Sequence, residues 1–173
     1  MNLHTGKPFM KIKAFIFDVD GTLTDGRKHY FKTGEGVSIS KAFSVRDGKG
    51  IDLAKKAGLK VCLITADGWE LIFDRAKDMG INDVFYKSHD KIRDAKKFCD
   101  KYNLDLSEVC FVGDDVNDIP LLESVGYPAV VGDALPKVRD ACKNKNGYVA
   151  NSPGGFGAVR EIIDSVLEEN KNA

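Results

Sequence analysis

Short apolar runs alternate with amphipathic segments along this chain. Each apolar run predicts a buried strand, and apolar residues recurring at a spacing near 3.6 predict the helices between them. The strands are predicted at residues 14–17, 59–64, 84–86, 109–112, 129–131 and 148–150. The helices are predicted at residues 51–57, 69–79, 90–103, 119–124, 136–142 and 156–169. Near-continuous apolar strands that alternate with helices predict an α/β fold, in which a parallel sheet carries helices on both faces.

One segment, residues 28–43, departs from this alternation. Two short runs of aromatic and β-branched residues flank the polar, glycine-containing stretch 32–36, which predicts a β-hairpin. A lone ribbon cannot bury such residues by itself, so we expect it to pack on another surface, for example a second copy of itself. The sequence Asp-Gly-Lys-Gly at 47–50 predicts a further turn.

Composition and charge narrow the class of protein. The 173 residues, 43% hydrophobic and 30% charged, suit one globular domain. The 26 basic residues balance the 26 acidic ones, which argues against a nucleic-acid-binding surface. No apolar run reaches the roughly 18 residues of a membrane span. The four scattered cysteines indicate reduced core residues rather than a zinc site. We expect a cytoplasmic domain over residues 10–173, after a loose extension over residues 1–9 that is too polar for a secretory signal.

The first strand runs directly into two aspartates, Asp18 and Asp20. Carboxylates at the end of a buried strand are costly without a cation or a chemical role, and parallel sheets bind ligands at this edge. One carboxylate can attack phosphorus to form an aspartyl-phosphate, and a second can protonate the leaving alcohol and later deprotonate water. The alternative interpretation is an Asp-Gly turn that caps a helix.

A second acidic group follows the strand predicted at 109–112. Asp114 and Asp115 are adjacent, and Asp118 comes three residues after Asp115. Carboxylates this close together repel one another unless a hard cation neutralises them, and Mg²⁺ prefers such oxygen ligands. The alternative is a solvated acidic loop. Taken with the first pair of aspartates, the pattern indicates a magnesium site.

Two further positions carry weaker signals. Thr65 ends the strand predicted at 59–64, where a hydroxyl could bind a phosphoryl oxygen or could simply cap a helix. Lys91 begins a predicted helix, although a single lysine is usually solvated and Lys87 competes with it for any role in a site.

The sequence Asp-Val-Asp-Gly-Thr at 18–22 resembles the first motif of the haloacid dehalogenase-type phosphatases, whose other three motifs follow here in order. The resemblance implies that Asp18 is the nucleophile and Asp20 the general acid and base. It implies that Thr65 binds the phosphoryl group and that Lys91 neutralises the nucleophile. Mg²⁺ would be held by Asp18, Asp114 and the backbone carbonyl of Asp20. In the same family pattern, Asp115 and Asp118 would act through water or orient Lys91.

Longer motifs resemble one group within that superfamily, the capless 3-deoxy-D-manno-octulosonate 8-phosphate phosphatases and their nine-carbon, sialic-acid-type relatives. The similar stretches are 18–26, 44–48, 112–115 and 154–161. The resemblance implies a Rossmann-like fold with a hairpin insertion and no cap domain, a phosphorylated sugar-acid substrate, and a homotetramer in which hairpins pair centrally and a glycine-rich loop covers the site of a neighbour. It implies these substrate-binding residues: Arg46, Asp47, Gly48, Asp67, Arg75, Gly154 and Gly155.

The chain departs from the octulosonate phosphatases at two basic positions. Ala66 and Asp67 stand where that group usually has Gly-Arg or Gly-Lys, and Asp52 stands where a basic residue is expected. The acidic Asp67 resembles the residue that some nine-carbon members have at this position. The sequence therefore leaves both an eight-carbon and a nine-carbon sugar acid open as the substrate. A non-catalytic assembly module is a further alternative, but the intact motifs favour an enzyme. A third alternative is a phosphotransferase or phosphomutase. Such an enzyme would need a cap or a second site to exclude water, and the sequence shows neither.

Overall fold

A computed structural model describes residues 11–172, and the loose extension predicted over residues 1–9 lies outside them. Six strands form one parallel sheet: β1 (Ala14–Phe17), β4 (Lys60–Ile64), β5 (Asp83–Phe85), β6 (Val109–Gly113), β7 (Tyr127–Val130) and β8 (Tyr148–Val149). Their order is β5-β4-β1-β6-β7-β8. The remaining strands, β2 (His29–Thr33) and β3 (Gly36–Ser40), form a separate antiparallel hairpin.

Six helices cover this sheet: α1 (Val45–Lys56), α2 (Ile72–Asp78), α3 (Lys91–Tyr102), α4 (Ile119–Leu122), α5 (Pro136–Asn144) and α6 (Ala158–Lys171). Short 3-10 turns at Leu106–Glu108 and Val116–Asp118 precede β6 and α4. Right-handed crossovers place α1 and α2 on one face and α3, α4 and α5 on the other, and α6 packs against α1. The predicted α/β fold with helices on both faces is confirmed.

Strand β1 lies in the centre of the sheet and has a neighbouring strand on each side. It pairs with β4 on one side and with β6 on the other, and its residues Phe15 and Phe17 are fully buried. The strand order reverses at this point, which opens a crevice at the carboxyl ends of β1, β4 and β6. Between β1 and β4 the chain contains only the hairpin and α1, so no cap domain is inserted there.

The hairpin formed by β2 and β3 exposes most of its side chains. Thr33 pairs with Gly36, so the connecting turn has only two residues. Strands β2 and β3 therefore extend into the segment 32–36 that was predicted as the loop. Tyr30, Phe31 and Val37 are 65%, 53% and 65% exposed. Since apolar side chains in a two-stranded ribbon gain little unless covered, this surface is suited to contact another molecule.

The turn predicted at 47–50 is wrong, because α1 begins at Val45 and contains both glycines. The hydroxyl of Ser44 accepts a hydrogen bond from the Asp47 amide at 3.4 Å and caps the helix. A Cβ at Gly50 would lie 3.2 Å from the Cα of Arg160 in α6. The glycine therefore permits close packing of two helices, which local sequence patterns do not distinguish from a turn.

Smaller differences concern the ends of elements. Strand β7 starts at Tyr127, two residues earlier than predicted, and includes Pro128 at a position that β8 does not yet reach. Helix α2 starts at Ile72, three residues later than predicted, and residues 70 and 71 form a turn. All four cysteines are buried and free, as expected. Within residues 11–172, no helix combines the length and the apolar character needed to cross a membrane.

Candidate active site at the carboxyl edge of the sheet

Asp18 lies at the end of β1 and is buried. Its amide donates a hydrogen bond to the carbonyl oxygen of Val112 in β6 at 2.9 Å, which extends the sheet to this residue. The following turn needs a glycine, since Gly21 has a φ of +84° and a Cβ there would lie 2.1 Å from Asp114 Oδ2. The glycine thus allows the two acidic segments predicted from the sequence to approach each other.

Three carboxylates and one ammonium group meet in this crevice. Carboxylate oxygens of Asp18, Asp114 and Asp118 lie within 4.8 Å of one another. The Nζ atom of Lys91 lies 2.9 Å from Asp18 Oδ1 and 2.6 Å from Asp118 Oδ1. Lys87 is instead exposed beside the ring of Tyr86. The geometry therefore favours Lys91 over its competitor as the lysine of the site.

Asp118 holds this arrangement together. Its side chain is fully buried, and Oδ2 accepts hydrogen bonds from the amides of Asp114 and Asp115 at 2.9 and 3.1 Å. Its other oxygen, Oδ1, pairs with Nζ of Lys91, so Asp118 links that lysine to the backbone of the acidic segment. Asp115 does not join the cluster: it is exposed, and its Oδ1 accepts from the Val116 amide at 2.6 Å.

The cluster carries an excess of negative charge. Burial and the neighbouring Asp118 raise the pKa of Asp18 well above its ordinary value, and they raise the pKa of Asp114 to about 6. Burial alone would lower the pKa of Lys91, but Asp18 and Asp118 outweigh it and the pKa is raised. Three carboxylates that share one ammonium group, with only oxygen ligands, fit a hard divalent cation such as Mg²⁺.

Thr22, the last residue of the Asp-Val-Asp-Gly-Thr motif, also contacts the cluster. Its hydroxyl donates a hydrogen bond to Asp114 Oδ1 at 3.0 Å. This bond links the loop after β1 to the acidic segment after β6. The signal available from the sequence was the position of Thr22 directly after the Asp-x-Asp-Gly motif.

Asp20 lies at the more open side of the crevice, with 29% of its side chain exposed. The hydroxyl of Thr65 is 3.5 Å from Asp20 Oδ2 and accepts from the Asp67 amide at 3.1 Å. Thr65 is not a helix cap, since α2 starts seven residues later. The Nζ atom of Lys41 lies 2.6 Å from Asp20 Oδ1 and also pairs with Asp67. Nothing in the sequence pattern pointed to Lys41, because a single lysine next to a hairpin is usually solvated.

Three of the predicted substrate-binding residues, Arg46, Asp47 and Arg75, lie on α1 and α2. Asp47 is buried, and its Oδ1 accepts from the amide of Arg160 at 2.8 Å, so the carboxylate helps to fix the first turn of α6. Arg46 is exposed on the first turn of α1. Arg75 packs over the ring of Phe43 at 5.1 Å, and its Nε is buried with no hydrogen-bond partner among the described residues.

The loop containing Gly154 and Gly155 packs against the loop that follows β1 in the same chain. The Gly155 amide donates to the Thr22 carbonyl oxygen at 3.1 Å, and the Gly154 amide donates to Asp133 Oδ1 at 2.8 Å. A Cβ at Gly154 would lie 1.8 Å from the carbonyl oxygen of Gly21. These glycines therefore allow the loop to support the backbone that carries the predicted nucleophile.

The strand order and the position of the acidic crevice define the class of haloacid dehalogenase-like hydrolases, and the family model of that description matches residues 75–153. The 3-deoxy-D-manno-octulosonate 8-phosphate phosphatase of Escherichia coli is 36% identical over 156 residues, which cover 90% of this chain and 79% of that protein. The chain belongs to this family of phosphatases, and it is an enzyme of the hydrolase class. The corresponding protein of Yersinia pestis is 35% identical over 156 residues, covering 90% of this chain and 80% of that protein.

Solved structures of the family agree with the fold. The 3-deoxy-D-manno-octulosonate 8-phosphate phosphatase of Moraxella catarrhalis, in complex with a magnesium ion, a phosphate ion and a KDO molecule, matches with a TM-score of 0.85 and 31% identity. The match covers 94% of this chain and 89% of that one. A cobalt-bound phosphatase from Haemophilus influenzae matches with a TM-score of 0.84 and 31% identity, covering 93% and 90% of the two chains.

Proposed function

We propose that this enzyme hydrolyses the phosphate monoester of a sugar acid, 3-deoxy-D-manno-octulosonate 8-phosphate or a similar 2-keto-3-deoxy acid, with Mg²⁺ as cofactor. The observation that carries the proposal is the buried carboxylate of Asp18, held beside Lys91 in an acidic cluster of oxygen ligands. A chain of this family with such a cluster has both the nucleophile and the cation site that phosphoryl transfer requires.

In the first half-reaction, a carboxylate oxygen of Asp18 forms a bond to phosphorus while the bond from phosphorus to the sugar oxygen breaks. Asp20 donates a proton to the departing oxygen. Lys91 stabilises the charge that gathers on the phosphoryl group, and the hydroxyl of Thr65 donates a hydrogen bond to it. Asp18, Asp114 and the carbonyl of Asp20 would hold Mg²⁺, which supplies positive charge that offsets the repulsion between carboxylate and phosphate.

In the second half-reaction, Asp20 accepts a proton from a water molecule. The oxygen of that water forms a bond to phosphorus, and the bond between phosphorus and Asp18 breaks. Inorganic phosphate leaves, and Asp18 returns to the carboxylate form. Asp20 thus acts first as an acid and then as a base, so its position decides both steps.

For the sugar acid, we propose contacts from Arg46 and Arg75, whose guanidinium groups suit a carboxylate. One observation favours the nine-carbon alternative. Asp67 stands where the octulosonate phosphatases usually have a basic residue, and it pairs with Lys28 at 3.1 Å and with Lys41. These two lysines are therefore partly neutralised before any substrate binds.

We further propose that the enzyme is a cytoplasmic homotetramer in which the hairpins of β2 and β3 contact one another. The exposed Tyr30, Phe31 and Val37 support this assembly, and four free buried cysteines are compatible with a reducing compartment. Light scattering should give a mass near four chains for the wild type. The variant Tyr30→Ser/Phe31→Ser should give a lower mass, because its hairpins lose the apolar contact surface. A wild-type protein with the mass of one chain would refute the assembly.

Phosphate release tests the activity. The substrates are the 8-phosphate of the octulosonate, a nine-carbon ulosonic acid 9-phosphate and para-nitrophenyl phosphate, each with Mg²⁺ and with excess chelator. We expect release with Mg²⁺, loss with chelator, recovery when Mg²⁺ is restored, and the highest kcat/KM on one of the sugar acids. Absence of release from all three substrates, by a folded protein loaded with Mg²⁺, would instead support the non-catalytic module.

A further inference from the structure

We propose that Lys41 is a positioning residue for Asp20, and that Asp67 in turn fixes Lys41. One buried ammonium group thereby holds the carboxylate that transfers protons in a single orientation. The inference rests on the proposed phosphatase activity, because it concerns how that reaction keeps its acid and base in place.

The ammonium group of Lys41 is buried and is paired with two carboxylates. The side chain is 1% exposed, and Nζ lies 2.6 Å from Asp20 Oδ1. The same atom pairs with Asp67 and lies 5.0 Å from the centre of the Trp69 ring. A buried ammonium group is costly unless carboxylates compensate it, so both aspartates are required to keep this lysine in the interior.

Asp67 is held firmly enough to act as the anchor of this lysine. Its amide donates to the hydroxyl of Thr65 at 3.1 Å, and its Oδ1 accepts from the Gly68 amide at 2.8 Å. Burial raises the pKa of Asp67, but hydrogen bonds from Lys41 and Lys28 outweigh that effect and lower it overall. The carboxylate therefore stays ionised and gives Lys41 a second anionic partner besides Asp20.

The consequence for Asp20 follows from its two oxygens. Oδ1 is paired with Lys41, and Oδ2 lies 3.5 Å from the hydroxyl of Thr65. Without Lys41, the carboxylate, which is 29% exposed, would lose its only short contact among the described residues and could rotate about its Cβ–Cγ bond. Proton transfer depends on a donor within hydrogen-bond reach, so this rotation would weaken the acid and base step more than phosphate binding.

The position of Lys41 is set by the base of the hairpin. It directly follows β3, and two residues later Phe43 forms a bridge with Thr24 and stacks on Trp69 at 6.2 Å. The lysine thus connects the hairpin to the loop of the nucleophile. Any change that moves the hairpin base should therefore also move Asp20.

The first test measures turnover of Lys41→Met on two esters: para-nitrophenyl phosphate, whose leaving group needs little protonation, and an alkyl phosphate, whose leaving group needs much. General acid catalysis contributes about 10²–10⁴-fold, so a disordered acid should reduce kcat on the alkyl ester by at least about tenfold more than on the aryl ester. The KM for the aryl ester should stay within about threefold, and Lys41→Arg should recover part of the alkyl activity. Lys56→Met, an exposed lysine of α1 paired with Asp52, is the matched control.

The second test does not need activity. Lys41→Met removes the cation shared by Asp20 and Asp67 and leaves Lys28 beside Asp67, whereas Lys41→Met/Asp67→Asn also removes one of the two negative charges. We expect thermal unfolding to show a lower melting temperature for the single variant and a partial recovery in the double variant. In the wild-type background, where Lys41 is present, Asp67→Asn should not raise the melting temperature.

The outcomes separate the two proposals. A wild-type protein that releases phosphate from neither ester and from neither sugar-acid phosphate refutes the proposed function, while the melting temperatures still test the contact of Lys41 with the two aspartates. An equal loss on both esters, unchanged turnover on both, or no recovery of the melting temperature in the double variant overturns the positioning role.

Discussion

The contact between the Gly154–Gly155 loop and the loop that follows β1 can be tested by adding one methyl group. In Gly154→Ala, the new Cβ would lie 1.8 Å from the carbonyl oxygen of Gly21, 2.7 Å from its carbon and 3.2 Å from the carbonyl oxygen of Thr24. The neighbouring atoms are backbone, so one of the two loops has to move by more than about an ångström, because packed atoms tolerate little overlap. Gly154 is not in the left-handed region, so this contact is the source of the effect.

The expected magnitude comes from two contributions. Overpacking a tight contact costs about 1–3 kcal/mol, and losing the hydrogen bond from the Gly155 amide to Thr22 adds about 1 kcal/mol. A free energy of unfolding lowered by about 2–4 kcal/mol corresponds to a melting temperature roughly 4–16 °C lower in a domain of this size. Because the displaced loop carries Thr22, the partner of Asp114, turnover should fall by about tenfold or more.

Urea unfolding followed by circular dichroism gives the free energy, and phosphate release from an aryl phosphate gives the turnover. Gly34→Ala is the control for stability, since no atom lies within 4 Å of its Cβ position and its φ is not left-handed. It should change the free energy by less than about 0.5 kcal/mol. If Gly154→Ala matched the wild type in both measurements, the loop would not support the site.

Three further substitutions test the cluster and its surroundings. Asp18→Asn should reduce turnover below about a hundredth with the far-ultraviolet circular dichroism spectrum retained, because an amide cannot replace the carboxylate as nucleophile. Lys91→Met should lower the free energy of urea unfolding by about 3–5 kcal/mol, because Asp18 and Asp118 then lack their ammonium partner. Burial raises the pKa of Asp94, but hydrogen bonds led by that from Arg93 hold it at about 2. The folded-state pKa is thus below the unfolded one, so Asp94→Asn should destabilise by about 1–2 kcal/mol at pH 7, and the loss should shrink as pH falls from about 5 to 2.

The sequence predicted the part of the site that depends on where strands end. The apolar runs of β1 and β6 are buried on both faces, so their ends are easily located, and Asp18 and Asp114 follow those ends directly. Lys91 and Asp118 are each fixed by a short local element, the first residue of α3 and a 3-10 turn. Their meeting point then follows from the geometry of a parallel sheet.

Residues whose roles depend on partners far along the chain were not predictable in this way. Lys41 and Asp67 are 26 residues apart and meet only when the hairpin base packs beside the end of β4. Gly50 resembles a turn residue until α6, more than a hundred residues later, packs against it. Asp47 accepts a hydrogen bond from the amide of Arg160, a contact that no local pattern predicted. Each of these positions has a local pattern compatible with two roles, and only the tertiary contact selects one.

The charges at the mouth of the crevice bear on which groups recognise the substrate. Asp67 pairs with both Lys28 and Lys41, and Asp20 also pairs with Lys41, so these two lysines offer little attraction to the carboxylate of a sugar acid. Within residues 11–172, no carboxylate forms an ion pair with Arg46 or Arg75. Arg75 is held against Phe43, and its guanidinium keeps a buried, unpartnered Nε. An unpaired and oriented guanidinium suits two-point binding of a carboxylate, so recognition of the acid group should depend on Arg75 far more than on the neutralised lysines.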